Sequence, residues 1–165
     1  MSDMAREGLF ASLGGDVEGA RVLDLFAGTG AAGIEALSRG AAEAVFVEQG
    51  PKAVAAIRDN LRRAKLAESA AVHRADAARW LAKRPASQEP FDVVILDPPY
   101  ELSGAPLETI LRRLAEGWLA QQRWTVVLTR GHKGSVPAVP VHWSVRRQLR
   151  YGDSLLTLYR EERWA

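Results

Sequence analysis

The 165-residue sequence has no cysteine. Disulfides, thiolate metal sites and every covalent mechanism that starts from a Cys nucleophile are therefore excluded. Histidine is scarce as well: His73, His132 and His142 are scattered without ligand spacing, so no metal is expected. No stretch approaches the roughly 18 consecutive apolar residues of a spanning helix, and the N-terminus has no apolar leader. Neither membrane insertion nor export is indicated, and a cytoplasmic location is the expectation. A surplus of charge is missing too. With 22 Lys and Arg against 20 Asp and Glu, the net +2 permits a polyanionic partner without demanding one.

What is present is 47% hydrophobic content in a length that supports one substantial core, so a single domain over 1–165 is expected. Short aliphatic runs alternate with longer amphipathic stretches, the pattern of parallel strands joined by crossover helices. Strands are predicted at Arg21 to Phe26, Ala44 to Glu48, Ala71 to Arg74, Phe91 to Leu96 and Trp124 to Arg130. Helices are predicted to begin near Ala31, Pro51, Ala77 and Pro106, with both prolines suited to a first helical turn. An opening amphipathic segment with Leu9, Phe10 and Leu13 on one side precedes them. After Gly131 the pattern changes: Trp143 to Tyr151, Gly152-Asp153 and Leu155 to Arg160 read as an antiparallel hairpin. The predicted class is α/β and Rossmann-like, a seven-stranded, mostly parallel sheet with a C-terminal antiparallel hairpin and helices on both faces.

The first predicted strand runs into Asp24-Leu25-Phe26-Ala27-Gly28-Thr29-Gly30-Ala31-Ala32-Gly33, where glycines let the backbone turn and approach a ligand. Gly28, Gly30 and Gly33 also satisfy the dinucleotide fingerprint, which is weak by itself. Asp24 separates the alternatives. A carboxylate just before the glycines repels a pyrophosphate and welcomes a cation, so it suits S-adenosylmethionine, with its sulfonium and ammonium, better than NAD. Glu48, ending the second strand, can accept from both ribose hydroxyls, or it can be a solvated strand end. Asp76 can accept from an adenine amino group, cap the following helix, or do both. The cofactor set read here is Asp24, Phe26, Ala27, Gly28, Thr29, Gly30, Glu48, Gln49, Asp76, Ala77 and Asp97.

Asp97-Pro98-Pro99-Tyr100 follows the buried-strand run Phe91 to Leu96. Pro98 restricts Asp97 to extended conformations, and the two fixed φ angles stiffen the turn and leave carbonyls without competing local N–H donors. An exocyclic amine on a base is a poor nucleophile, because its lone pair is delocalised into the ring. If the Asp97 carboxylate and the Pro98 carbonyl each take one N–H, that lone pair is aimed for in-line attack on a methyl. Tyr100 would stack on the base. The catalytic set is Asp97, Pro98, Pro99 and Tyr100; a proline-rich loop with a packed tyrosine is the bland alternative.

Asp24 to Gly40, Glu48 and Asp97 to Tyr100 together resemble the class I methyltransferases that modify exocyclic amines. With Ser2-Asp3, Arg6 to Phe10 and Ile34 to Gly40 added, the chain is most similar to the RsmD family, bacterial enzymes that methylate N2 of a guanine in small-subunit ribosomal RNA. The resemblance implies S-adenosylmethionine as cofactor, with S-adenosylhomocysteine as product. It also implies ribosomal RNA as partner, free or within a partly assembled small subunit, and a monomer. Asp3 and Arg6 are implied near the methionine end of the cofactor. Family members usually carry an N-terminal basic hairpin that helps grip RNA, and this sequence lacks it. Adenine-N6 methylation of DNA or RNA, NAD-dependent oxidoreduction and RNA binding without catalysis are the alternatives.

Two basic groups remain. Arg58, Arg62, Arg63 and Lys65 are expected to form a solvated helix face. Arg130, His132, Lys133, Arg146, Arg147 and Arg150 are the candidate RNA surface, because they follow the fifth strand and run along the hairpin. The five tryptophans are expected to pack, Trp80 and Trp118 especially.

Overall fold

A computed structural model describes residues 1–162. The single domain expected over 1–165 ends three residues later, so Trp164 lies outside the described residues. In chain order the elements are α1 (Asp3–Leu13), β1 (Arg21–Leu25), α2 (Ala31–Ser38), β2 (Glu43–Glu48), α3 (Pro51–Arg63) and β3 (Ala70–Arg74). There follow α4 (Ala77–Ala82), β4 (Val93–Leu96), α5 (Gly104–Leu114), β5 (Thr125–Gly131), β6 (Trp143–Tyr151) and β7 (Ser154–Glu161). The seven strands make one sheet in the order β3-β2-β1-β4-β5-β7-β6.

Strands β1, β2 and β4 are continuous aliphatic runs because both faces of the sheet are covered. Alternate residues point to opposite sides. Val22, Phe46 and Ile95 face α1, α2 and α3, against Leu9, Phe10, Leu37, Ile57 and Leu61. Leu23, Val45, Val94 and Leu96 face α4 and α5, against Leu81, Leu107, Ile110 and Leu111. The amphipathic opening segment is thus a helix whose Leu9, Phe10 and Leu13 enter the core, started by Ser2, whose side chain accepts from Ala5 N.

One local expectation shifts. Pro51 stands at the start of α3 as predicted. Pro106, however, is the third residue of α5, which begins at Gly104. The first four helical N–H groups have no intrahelical acceptor, so a proline anywhere in that turn costs no hydrogen bond. The hairpin forms, and β7 pairs antiparallel with both β5 and β6, which leaves β6 as the outer edge.

Trp118 is buried and donates from its indole N–H to the Leu81 carbonyl at 3.1 Å. Trp80 packs on it at a ring separation of 4.7 Å, and Phe91 stacks at 6.3 Å on the same indole. The packing role expected for these tryptophans holds. Among the described residues no helix is long and apolar enough to cross a membrane.

Candidate active site

Strand β1 pairs with β2 on one side and β4 on the other, so the chain order reverses at this point of the sheet. Open α/β sheets bind ligands in the crevice outside the carboxyl ends of strands at such a reversal. Two cavities of about 250 Å³ each lie there and share Phe26 and Asp97. One is lined by Asp24, Ala27, Gly28 and Thr29, with Arg6 and Met1; the other by Glu48, Gln49, Asp76, Ala77 and Pro99. Every residue of the expected cofactor set except Gly30 lines one of them. Gly30 instead forms the turn, as the N-cap residue just before α2 with φ +84°.

The loop from β1 to α2 alternates left-handed residues: Phe26 at φ 58°, Gly28 at 59° and Gly30 at 84°. Phe26 was expected in the cofactor set, but its left-handed backbone was not foreseen, since a bulky residue at positive φ carries strain of about 1–3 kcal/mol and gives no compositional signal. Local bonds hold it there: Ala27 N donates to Val47 O at 3.1 Å and Gly30 N to Ala27 O at 2.8 Å. Gly33 serves packing, because a Cβ there would stand 2.3 Å from the Phe46 ring.

Asp24 is 2% exposed, and its Oδ2 accepts from Gly33 N at 3.0 Å. It therefore caps α2, whose Gly30 start has no side chain to do so. Burial raises its pKa to about 8; the Gly33 N–H opposes the shift, and the charges of Asp97 and Glu48 add to it. Glu48 is held at both oxygens, Oε1 by Gly28 N and Oε2 by Gly50 N, each at 2.8 Å. Its carboxylate is fixed as a link between the glycine loop and the start of α3. Asp76 caps α4 by accepting from Arg79 N at 3.1 Å, so the helix-cap reading is realised while the residue also lines the cavity.

At the end of β4 the Asp97 carboxylate faces the cavities, and its Oδ2 accepts from the Met1 amino group at 2.7 Å. The Pro99 carbonyl accepts from Leu102 N at 3.0 Å. The expectation that the prolines leave their carbonyls free of local donors is thus corrected for Pro99, whereas the Pro98 carbonyl has no protein donor among the described residues. Tyr100 is 68% exposed. Its ring passes over Gly131, and its hydroxyl stands 3.4 Å from Ser154 Oγ.

Arg6 reaches Glu35 Oε1 at 3.4 Å and Asp3 Oδ1 at 3.1 Å. Arg6 lines the cavity, as the resemblance implied; Asp3 does not, because its side chain is turned to solvent and held by Arg6. The candidate RNA set loses one member. Arg146 bonds Asp16 Oδ2 at 2.9 Å, Thr125 Oγ1 at 3.1 Å and Ser12 O at 3.2 Å, at the strand-start end of the sheet opposite the crevice. The bulge between Val145 and Arg147 accounts for this turn of the chain. Arg62 and Arg63 pair with Asp59 on the exposed side of α3, the solvated face expected of them. Among the described residues no three His, Asp or Glu side chains gather as a metal site.

Comparison with known proteins gives the same frame. The chain is 36% identical over 161 residues to Ribosomal RNA small subunit methyltransferase D of Escherichia coli K12, covering 98% of this chain and 78% of that protein. A solved structure of a conserved hypothetical protein from Streptococcus pyogenes is 33% identical, with a TM-score of 0.84 and 95% of each chain covered. An RNA methyltransferase of Salinibacter ruber, solved with S-adenosyl-L-homocysteine, shares the fold alone at 18% identity, with a TM-score of 0.71 over 100% of this chain and 95% of that one. The family described as Conserved hypothetical protein 95 matches residues 1–160. The chain belongs to that family, and the RsmD resemblance read from its motifs is borne out.

Proposed function

We propose that this chain methylates the exocyclic N2 amine of a guanine in small-subunit ribosomal RNA, with S-adenosylmethionine as methyl donor. The observation that carries the reading is Asp97, a carboxylate at the junction of both cavities and beside the uncommitted Pro98 carbonyl. The donor suits the residues present. A ribose diol offers two O–H donors, and each Glu48 oxygen already fixed by one backbone N–H keeps a lone pair for one of them. Asp97 lines the cavity where positive charge would sit, a bound cation would favour the ionised form of Asp24 beside it, and Gly28 adds no side chain to fill it.

S-adenosylmethionine, when bound, would supply an electrophilic methyl on its sulfonium, with the neutral thioether as leaving group. Asp97 and the Pro98 carbonyl take the two N–H bonds of the amine and point its lone pair at that carbon. Tyr100 holds the base from its exposed face. No strongly perturbed base is required, since the methylated ammonium is acidic enough to lose its proton to water. In this reading residues 1–165 act as one domain and as a monomer in the cytoplasm. The RNA is met free or in a partly assembled subunit.

The test is to map methylated nucleotides in ribosomal RNA from cells with and without the protein. N2-methylguanine present only with the protein is the expected result. An N6-methyladenine in its place would move the assignment to adenine, and no difference at all would end it.

A further inference from the structure

A third cavity, about 190 Å³, opens on the other side of the Asp97 turn. Pro98, Pro99, Tyr100 and Leu107 form an apolar wall, and the end of β5 with the loop after it forms the other. It is about the size of one purine base. Among the described residues Arg130 is its single charged lining residue. Arg130 Nη1 donates to the carbonyls of Gly131 at 3.4 Å, Gly134 at 2.9 Å and Ser135 at 3.1 Å. One limb of the planar fork is thereby fixed in the loop. Among the described residues its other two nitrogens, Nε and Nη2, meet no acceptor. Among the described residues the same strand end also holds two buried polar atoms without protein partners, Thr129 Oγ1 and His132 Nδ1. Folded proteins normally satisfy such buried groups, and Thr129 lines the cavity together with Arg130, whose free guanidinium edge offers donors to a ligand that brings acceptors.

We propose, resting on the reading above, that Arg130 is the specificity-determining residue that recognises the target base as guanine. Its Nε and Nη2 donate to O6 and N7, while Asp97 and Pro98 hold the N2 amine at the far edge of the same ring. The geometry matches the chemistry, because O6 and N7 are adjacent acceptors that a guanidinium edge meets bidentately. Adenine presents an amino donor where guanine has O6, and that donor would oppose the guanidinium. The three carbonyl bonds keep the side chain from following a wrong base, so a mismatch leaves its donors unpaired.

The experiment uses small-subunit RNA ligated to carry guanosine, 2,6-diaminopurine or 7-deazaguanosine at the methylated position. The first and third keep O6, the first and second keep N7, and all keep the N2 amine. For the intact protein, kcat/KM is expected to fall about 5- to 150-fold on diaminopurine and by a smaller factor on 7-deazaguanosine. Arg130→Lys can still reach the loop carbonyls but lacks the second edge. It is expected to shrink the guanosine-to-diaminopurine ratio toward one. Equal rates of the intact protein on guanosine and diaminopurine would overturn the proposal, and this comparison needs no variant to fold. An Arg130→Lys variant that is slower on every base with the ratio preserved also overturns it, since Arg130 would then only hold the loop. If the intact protein puts no methyl on guanosine N2 in any RNA, the functional reading itself fails, an outcome distinct from both.

Discussion

Asp24 and Gly33 are joined by a hydrogen bond of 3.0 Å from a backbone N–H to a carboxyl oxygen that solvent does not reach. The bond ties the end of β1 to the first turn of α2 across the glycine loop. A Cβ on Gly33 would stand 2.3 Å from Phe46 and 3.2 Å from Asp24 Oδ2. The loop's shape therefore depends on this residue having no side chain.

Gly33→Ala should cost about 1–3 kcal/mol, as overpacking of a tight core does. The midpoint of urea unfolding is the measurement. Affinity for S-adenosylmethionine should fall with it, because the displaced helix start carries the glycine loop away.

The same hydrogen bond sits within a pH dependence. Unfolded, Asp24 loses its proton near 3.8; folded, it keeps it to about 8. Across that window the folded state binds the extra proton, so this contribution is fully present below 3.8 and is lost as pH rises through about 8. Asp24→Asn, which can still accept from Gly33, should flatten that decline in a series of urea melts. A slope that survives the substitution would assign the effect to another group.

Glu48→Gln replaces one acceptor oxygen with an amide that can only donate. One of the two backbone donors at Gly28 and Gly50 then faces a donor. The Kd for S-adenosylmethionine should rise about 5- to 150-fold, the equivalent of about 1–3 kcal/mol for an unmet polar group. Calorimetry reads this directly, and an unchanged Kd would remove Glu48 from the site.

Asp97→Ala should lower the single-turnover methyl-transfer rate about 10²–10³-fold, by analogy with removing one preorganised hydrogen-bonding group from a reaction centre. Asp97→Asn retains one acceptor oxygen and should fall less. A preserved rate in the alanine variant would remove Asp97 from the catalytic set.

Arg146→Gln should reduce stability by about 1 kcal/mol, since it breaks a partly buried pair with Asp16. RNA affinity should not respond. Charge reversal at Lys133 and Arg150 together should weaken RNA binding and reduce the slope of log K against log salt by roughly 1 for each phosphate no longer neutralised. Salt titrations of the two variants separate the roles.

The strands, their order of appearance and the acidic residues at their ends were legible because each is written locally. Val93 to Leu96 is buried wherever it pairs, and Asp97 follows it by one residue. Relations spanning the chain were not legible. Arg146 looks like part of a basic run, yet its partner Asp16 is 130 residues away, brought close because α1, which Asp16 follows, packs against β6. The left-handed turn at Phe26 has no compositional mark, since the surrounding loop imposes it. Likewise the three carbonyls on Arg130 come from a bend whose Gly and Ser residues predict a turn without saying which side chain closes it.

The row of rings behind α4 sets a pair of chromophores within one helical turn of a cavity wall. That short helix carries a wall of one cavity at its first residue, Ala77, and one turn later presents Trp80 to the indole of Trp118. A ligand seated against Ala77 is expected to change the surroundings of that pair, so intrinsic emission should respond to occupancy without any label.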